Sequence, residues 1–207
     1  MDLSFSQVVS PLSRVFRIKE DRLSAFSSRI KNLQRGGMLP DINTGRGVAA
    51  RYGPEHVFLI ASALQLIDVG LTPERAIEVI SQQKDYLGLA LQSALAKGDS
   101  GQDTDTFVLV EPQGLNDFRR SSIKAMKPRP VEAFTSEDLI AGLLKFHDSV
   151  SILNISRMSQ RIIVEMSCSS FEEGLKQWAE EVVLKVRKLS ASNDFDSEEV
   201  ANVHSKT

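Results

Sequence analysis

Apolar residues recur at helical spacing in the N-terminal part of the chain. Phe26, Ile30 and Leu33 stand at positions i, i+4 and i+7, which predicts the buried face of a helix. Asp21 or Ser24 supplies the short polar side chain expected at the start of that helix. The pattern therefore predicts an amphipathic helix whose other side is free for solvent or a ligand.

Three further helices are predicted around this one. The apolar face from Pro11 to Ile18 predicts a first helix that begins at about its proline, which is tolerated in a first turn. The stretch from Pro54 to about Val69 is apolar on most sides and predicts a largely buried helix. Thr72 is placed to cap a last helix, which is predicted to end near Lys97.

The polar side of the second predicted helix is rich in groups that bond nucleic acids. Its hydroxyl, amide and cationic side chains belong to Ser27, Ser28, Lys31, Asn32, Gln34 and Arg35, with Arg22 just before them. Asparagine and glutamine can bond adenine through two hydrogen bonds, whereas arginine and lysine reach guanine or phosphate oxygens. These seven residues are therefore candidate DNA contacts.

A glycine-rich hairpin is predicted between Asp41 and Gly53. Two glycines flank Arg46 at its tip, and apolar residues bracket it on both sides. Thr44, Arg46 and Arg51 are the further candidate DNA contacts on this segment. An arginine at the tip of such a wing can lie over the phosphate backbone or enter the minor groove.

A second, smaller unit is predicted beyond residue 97. The polar and acidic run from Gly98 to Asp105 predicts a linker. The β-rich runs from Thr106 to Glu111 and from Val150 to Asn154 predict two strands. Between them, Pro112 to Phe134 carries five lysines and arginines without periodicity, which favours a solvated loop over a DNA contact.

Helices complete the second unit. The range from Thr135 to Phe146 predicts a helix that is capped by its first Thr or Ser, and apolar spacing from Ile155 to Met166 predicts another. A last helix from about Ser170 to Leu189 carries an apolar stripe that includes Trp178, favoured as core over a dimer seam. The polar and acidic residues 190–207 predict a disordered tail.

Charge is divided unevenly along the chain. Residues 1–53 hold nine basic and four acidic groups, a net +5, whereas the remainder holds 16 basic and 23 acidic groups, a net −7. This asymmetry is typical of a basic DNA-facing module joined to an acidic partner domain, although chance variation of surface charge is the alternative.

Composition and motifs argue against several other classes of protein. Hydrophobic residues make up 42% and charged residues 25%, as in globular proteins, and the single Cys168 suits a reducing cytoplasm. No apolar run is long enough for a membrane span. The three histidines are far apart in sequence, and nucleophile-elbow, Walker and dinucleotide motifs are absent. We therefore expect no enzyme activity, no cofactor and no metal.

Several short motifs together resemble the MerR-type winged helix-turn-helix family. The order is a Ser-rich helix, RGGMLP at Arg35–Pro40, a glycine wing, RYGPEHV at Arg51–Val57, and GLTPERAI at Gly70–Ile77. The resemblance covers about residues 12–80. It departs where family members carry a Leu-Arg-Tyr-Tyr run, since this chain has Ile-Lys-Asn-Leu at Ile30–Leu33, and where they carry a long antiparallel dimerisation helix.

The predicted fold class is α+β and mostly helical. It comprises a winged helix-turn-helix over residues 1–97, a linker over 98–105, and an α+β domain over 106–189 for dimerisation or signal reception. The predicted function is a cytoplasmic, sequence-specific transcriptional regulator that binds duplex DNA as a homodimer and can receive a small-molecule or protein effector on its C-terminal domain. The alternatives are an excisionase-like or architectural DNA-bending protein, and a protein-binding adaptor or anti-repressor on the same fold.

Overall fold

The computed structural model describes residues 1–39, 41–42, 49–100, 105–110, 132–135, 138–143 and 150–203. Within these residues the fold is mostly helical α+β, with three short strands in one sheet. The helices are α1 Phe5–Val15, α2 Leu23–Arg35, α3 Pro54–Asp68, α4 Pro73–Gln82, α5 Lys84–Ser100, α6 Leu139–Leu143, α7 Ile155–Met166 and α8 Ser169–Val203. The strands are β1 Thr106–Val110, β2 Glu132–Thr135 and β3 Ser151–Asn154.

The first helix begins at Phe5, so the prediction that it starts at Pro11 is wrong. Pro11 lies inside α1, where a proline removes one backbone hydrogen bond and costs about 3 kcal/mol. Val8 and Val9 are both buried in the preceding turn. Burying each valine stabilises the fold by about 1.5–3 kcal/mol, which is enough to offset the proline.

The second helix has the predicted buried face and a different start. Phe26, Ile30 and Leu33 are all buried, which confirms the spacing argument. Neither predicted cap is used, because a turn of 3-10 helix at Glu20–Arg22 leads directly into α2 without a capping side chain. At the other end the chain leaves the helix through Gly37, whose φ of 84° is accessible chiefly to glycine.

The helix predicted from Thr72 to Lys97 is two helices. Thr72 caps α4 as expected, with its Oγ1 accepting a hydrogen bond from the Arg75 N–H at 3.2 Å. The chain then turns at Gln83, because α4 packs against α3 whereas α5 packs against β1, α7 and α8. Helix α5 runs to Ser100 and therefore includes the first residues of the predicted linker, of which 101–104 lie outside the described residues.

The sheet is antiparallel, with strand order β2-β1-β3. Both predicted strands are present, and Val108 of β1 pairs with Leu153 of β3. The third strand, β2, lies in the segment 112–134 that was predicted as a loop, and this part of that prediction is wrong. The basic residues of that segment lie outside the described residues. The predicted helix start at Thr135 is wrong, because Thr135 ends β2 and the helix in the described part, α6, begins at Leu139.

The last two helices close the core. Trp178 of α8 packs against Phe58 of α3, with ring centroids 5.9 Å apart, so the Trp178 stripe is part of the core. The stripe leaves the core before its predicted end, since Leu189 is 54% exposed. Residues 190–203, predicted as part of a disordered tail, continue α8 as helix. Several of them are Ala, Glu and Ser, which the helical backbone accommodates at little energetic penalty.

One hydrophobic cluster runs through both predicted units. Buried residues of α1, α3 and α5 lie in the same cluster as Val108, Ile162 and Phe171 from the C-terminal part. Arg14 of α1 also forms an ion pair with Glu165 of α7 at 2.5 Å. Among the described residues, therefore, the packing continues without a break across the predicted domain boundary.

A close approach between α5 and α8 gives a first prediction. An added Cβ at Gly88 would lie 2.8 Å from Val182 Cγ2 and 3.0 Å from its Cβ, so a rotation of the valine cannot relieve the clash. Overpacking of this kind costs about 1–3 kcal/mol, offset by up to about 1 kcal/mol of helix propensity. We expect Gly88→Ala to lower the free energy of unfolding by about 1 kcal/mol in urea denaturation.

The matched control for this prediction is the double variant Gly88→Ala with Val182→Ala. It removes the two Val182 methyl groups at 2.8 and 2.9 Å and leaves only the Cβ contact at 3.0 Å, so the Gly88 substitution should destabilise the protein less in that background. A Gly88→Ala single variant as stable as the wild type would show that the two helices do not approach this closely.

Candidate nucleic-acid interface

Helix α2 divides into a buried side and a solvent-facing side. From the exposed polar side chains of α2 we take five as the α2 ridge: Ser28, Arg29, Lys31, Asn32 and Arg35. Ser27 and Gln34 lie at the margin of this face and are half-buried. The structure therefore leaves in solvent most of the polar face that the sequence predicts as a DNA contact.

All charged side chains of α2 are cationic. Its sequence, LSAFSSRIKNLQR, holds three cations and no carboxylate, so no acidic side chain within the helix neutralises the ridge. Lys31 lies over the ring of Phe5, with its Nζ 5.1 Å from the ring centroid. Such a cation–π contact restrains the lysine while its ammonium group stays accessible.

A groove of about 750 Å³ separates α2 from the first turn of α4. Ser28, Arg29 and Asn32 line one side, and Glu74 and Ile77 line the other. A Cβ at Gly36 would meet only the flexible end of the Ile77 side chain, its Cδ1, at 2.4 Å. The groove thus presents two polar side chains and one cation opposite a single carboxylate.

Gln34 is engaged inside the protein. Its Nε2 donates a hydrogen bond to the hydroxyl oxygen of Tyr52 at 2.8 Å. Contact between Gln34 and a base, which the sequence suggests, would require the amide to leave this bond. The same bond ties the C-terminal half of α2 to the last residues of the predicted wing.

Tyr52 fixes that segment to the body of the protein. It is 1% exposed, and its backbone pairs with Leu3 through two hydrogen bonds of 2.9 and 3.0 Å. Burial raises the pKa of the Tyr52 hydroxyl, and the bond from Gln34 lowers it by less. The phenol therefore stays protonated at neutral pH. Arg51, the preceding residue, is exposed beside this anchor.

His56 stabilises the start of α3. The Gly53 N–H donates to Nδ1 of His56 at 2.9 Å, which closes the first turn of α3. Burial lowers the pKa of His56, against the opposing effect of the Glu55 carboxylate. The imidazole is therefore neutral, as an accepting Nδ1 requires, and the histidine serves the helix start.

The remaining candidate DNA contacts are Arg22, Thr44 and Arg46. Arg22 is exposed and lies 3.4 Å from Asp21, an ion pair that contributes little at such exposure. Thr44 and Arg46, at the predicted wing tip, lie outside the described residues. Their position beside α2 stays a prediction.

Sequence reasoning missed Arg29 as a candidate. It is exposed on the ridge and lines the groove toward α4. Its spacing of seven residues from Arg22 places both on one side of a helical path, and that signal was available in the sequence. Arg29 therefore joins the candidate DNA contacts.

The Tyr52 contact gives a second prediction. Tyr52→Phe removes the acceptor of the Gln34 bond, and we expect a loss of about 0.5–1.5 kcal/mol in the free energy of unfolding. Gln34→Ala and the double variant complete a mutant cycle in urea denaturation. A coupling energy indistinguishable from zero would show that the bond contributes nothing to the placement of this segment.

Among the described residues, no three His, Cys, Asp or Glu side chains are grouped so that they could hold a metal ion. No helix in the described part is long and apolar enough to cross a membrane. Comparisons with protein-family models, curated proteins and solved structures found no match. The resemblance to MerR-type proteins therefore stays a prediction from its motifs.

Proposed function

We propose that this protein is a transcriptional regulator that binds specific sequences of duplex DNA through α2. The observation that carries the proposal is the α2 ridge, which exposes three cations, a serine and an asparagine on a helix without a carboxylate. A helix of about 10–12 Å diameter fits the major groove, which is about 12 Å wide. The ridge is the side of α2 that would face the bases.

Each ridge residue has a role suited to its chemistry. Asn32 can bond adenine through its amide, and Ser28 can bond either a base edge or a phosphate. Arg29, Lys31 and Arg35 can reach guanine or the phosphate oxygens along the groove. Arg51 lies near the C-terminal end of the predicted wing and can bond the flanking backbone. Phosphate contacts fix the register, and the base contacts supply specificity.

A homodimer is part of the proposal. One helix reads few base pairs, and regulators of this type gain specificity by reading two half-sites about one helical turn apart. The α+β part from β1 onward is the proposed region for dimerisation or for an effector, which can be a small molecule or another protein. A paired, inverted-repeat operator is the corresponding expectation for the DNA.

The test uses the full-length protein. Selection of bound duplexes from a random pool should yield an inverted repeat, and cellular occupancy should concentrate at a few promoters. Binding to the selected duplex should weaken linearly on a log-log plot against salt, because counterions are released from the neutralised phosphates. Absence of binding at low salt, with the protein folded, would overturn the proposal and leave the adaptor function.

Two other results would support one of the alternative functions in place of transcriptional regulation. Occupancy at a recombination attachment site would identify an excisionase-like protein. Binding without sequence preference, together with a large bend in circularly permuted fragments, would identify an architectural protein. Both outcomes would keep α2 as the contact surface and reject the role as a regulator.

A further inference from the structure

A second cationic feature lies on the junction between the N-terminal and C-terminal parts. A cavity of about 410 Å³ opens between the end of α1, the last turn of α3 and the start of α7. We call it the arginine pocket, and its polar lining is Arg17, Arg157, Arg161, Gln65, Asp68 and Asn154. Three arginines and one carboxylate line the pocket, and Asp105 pairs with Arg157 beside it. One positive charge remains in excess, which favours binding of an anion.

Arg17 has an unusual backbone conformation. It follows α1 with a φ of 53°, in the left-handed region that favours glycine. The hydrogen bonds from the Arg17 and Ile18 N–H groups to the carbonyls of Arg14 and Ser13 are those of a Schellman motif, whose left-handed position is usually glycine. An arginine is therefore held where the backbone favours a residue without a side chain.

The Arg17 side chain is also exposed to solvent. Among the described residues, its guanidinium forms no hydrogen bond and no ion pair, and the residue is exposed. Neither the backbone conformation nor a contact within the described part of the chain explains why an arginine occupies this position. A ligand that needs a cation at this position would explain both.

The other two arginines are held in place by the protein. Arg157 Nε donates to Asp105 Oδ2 at 3.1 Å, and Asn154 Nδ2 donates to the same oxygen at 2.7 Å. The Arg157 side chain is nevertheless 77% exposed. Arg161 donates to the carbonyl oxygen of Val15, the last residue of α1. These bonds fix two guanidinium groups one helical turn apart on the pocket wall.

The start of α7 adds to the field of the pocket. Asn154 caps the helix by accepting a hydrogen bond from the Arg157 N–H at 2.9 Å. The positive end of a helix of twelve residues therefore points toward the same region as the arginines. Arg157 and Arg161 carry like charges one helical turn apart, and an anion bound between them would offset their repulsion.

From this arrangement we propose that the arginine pocket binds a phosphate group. Guanidinium groups bond phosphate oxygens in a planar, two-pronged geometry, and the amides of Gln65 and Asn154 can complete the set. Neither the α2 ridge nor its proposed contact with DNA assigns this site. The phosphate can belong to a small phosphorylated molecule or to a DNA backbone.

The DNA backbone is a possible source because the pocket adjoins the α2 side of the molecule. A neighbouring groove of about 400 Å³ shares Phe16 and Asp68 with the pocket. It also contains Arg22 and shares Arg29 with the groove at α2. Cations therefore follow one another from the ridge to the pocket. A DNA phosphate as the ligand rests on the proposed function, whereas a small phosphorylated molecule does not.

The test compares Arg17→Gly with the full-length wild type. Glycine suits the left-handed backbone, so the variant should unfold at the same or a higher temperature and keep its fold. Lys19→Ala is the matched control, because it removes an exposed cation two residues away that does not line the pocket. The double variant Lys31→Ala with Arg35→Ala controls for the α2 ridge.

The first arm measures thermal unfolding with inorganic pyrophosphate, against chloride at equal ionic strength. At a hundredfold excess over its Kd, pyrophosphate should raise the Tm of the wild type by about 5 °C or more. Arg17→Gly should lose most of this shift, whereas Lys19→Ala and the ridge variant should keep it. This result supports the site with a small phosphorylated ligand, even if the protein never binds DNA.

The second arm measures binding to a DNA duplex over a range of salt. If pyrophosphate has no effect, Arg17→Gly should weaken DNA binding about tenfold and lower the log-log salt slope by about 1, with Lys19→Ala unchanged. That result supports the site with a backbone phosphate. If Arg17→Gly matches the wild type in both arms, the proposal is overturned, whatever the ridge variant shows.

Discussion

Replacing Lys31 and Arg35 together with alanine is expected to weaken binding to duplex DNA about 30-fold or more, with the fold unchanged. Each lost contact to a base or phosphate is worth about 1 kcal/mol or more, and about 1.4 kcal/mol corresponds to a factor of ten. Both side chains are exposed on the α2 ridge, so their removal should not affect the core. The log-log salt slope should also fall by about 2.

The measurement is a fluorescence-anisotropy titration of full-length protein with a labelled duplex at several salt concentrations. The matched control is Arg187→Ala with Lys188→Ala, which removes the same charge from exposed positions of α8. The control pair should change affinity by less than about threefold, because charges beyond a Debye length are largely screened. Equal losses in the two pairs would mean that net charge, and not the ridge, governs binding.

Truncation to residues 1–97 is expected to abolish stable folding, although these residues correspond to the predicted DNA-binding domain. The cut removes α7 and α8, which cover α1, α3 and α5. It exposes Leu87 and Leu91, both fully buried in the whole chain, together with Phe58. Burial of side chains of this size contributes about 1.5–3 kcal/mol each, which is a large part of a typical free energy of unfolding.

The full chain should therefore unfold as one unit. Trp178, which packs on Phe58, is the only tryptophan, so its fluorescence follows the contact between α8 and α3. Its transition should coincide with the loss of helical circular dichroism. A fragment 1–97 that unfolds cooperatively, or a full chain whose two transitions are separate, would show that the N-terminal part folds independently.

A single substitution tests the same packing without a truncation. Phe58→Ala leaves a cavity opposite Trp178 and should lower the free energy of unfolding by about 3–5 kcal/mol. Tryptophan emission should shift to longer wavelength as water reaches the ring. This variant separates loss of the α3–α8 contact from the loss of chain length in the fragment.

Much of the helical structure could be predicted because its signals are local. Spacing of Phe26, Ile30 and Leu33 fixed which side of α2 faces the core, and Thr72 marked the start of α4. The polar face of α2 followed directly, because a helix with one apolar side leaves the other side in water. Arg29 was missed because it follows Phe26 by three residues and directly precedes Ile30, so the helical pattern sets it next to the buried side.

The errors occur where long-range packing decides the structure. Pro11 is a plausible helix start in isolation, but burial of Val8 and Val9 extends α1 through it. The turn at Gln83 follows from two different packing partners, which no local pattern specifies. Strand β2 forms because β1 offers an edge for pairing, and its own sequence gives a weak strand signal.

The sequence by itself determined the helical character, the buried side of α2 and the excess of cations in the first 53 residues, because periodicity and charge are properties of the local chain. Only the tertiary structure decided that Gln34 bonds Tyr52 and that Arg17 meets Arg157 and Arg161 in one pocket. No local pattern specifies these contacts, and the arginines meet because both parts of the chain bury their apolar faces in one core.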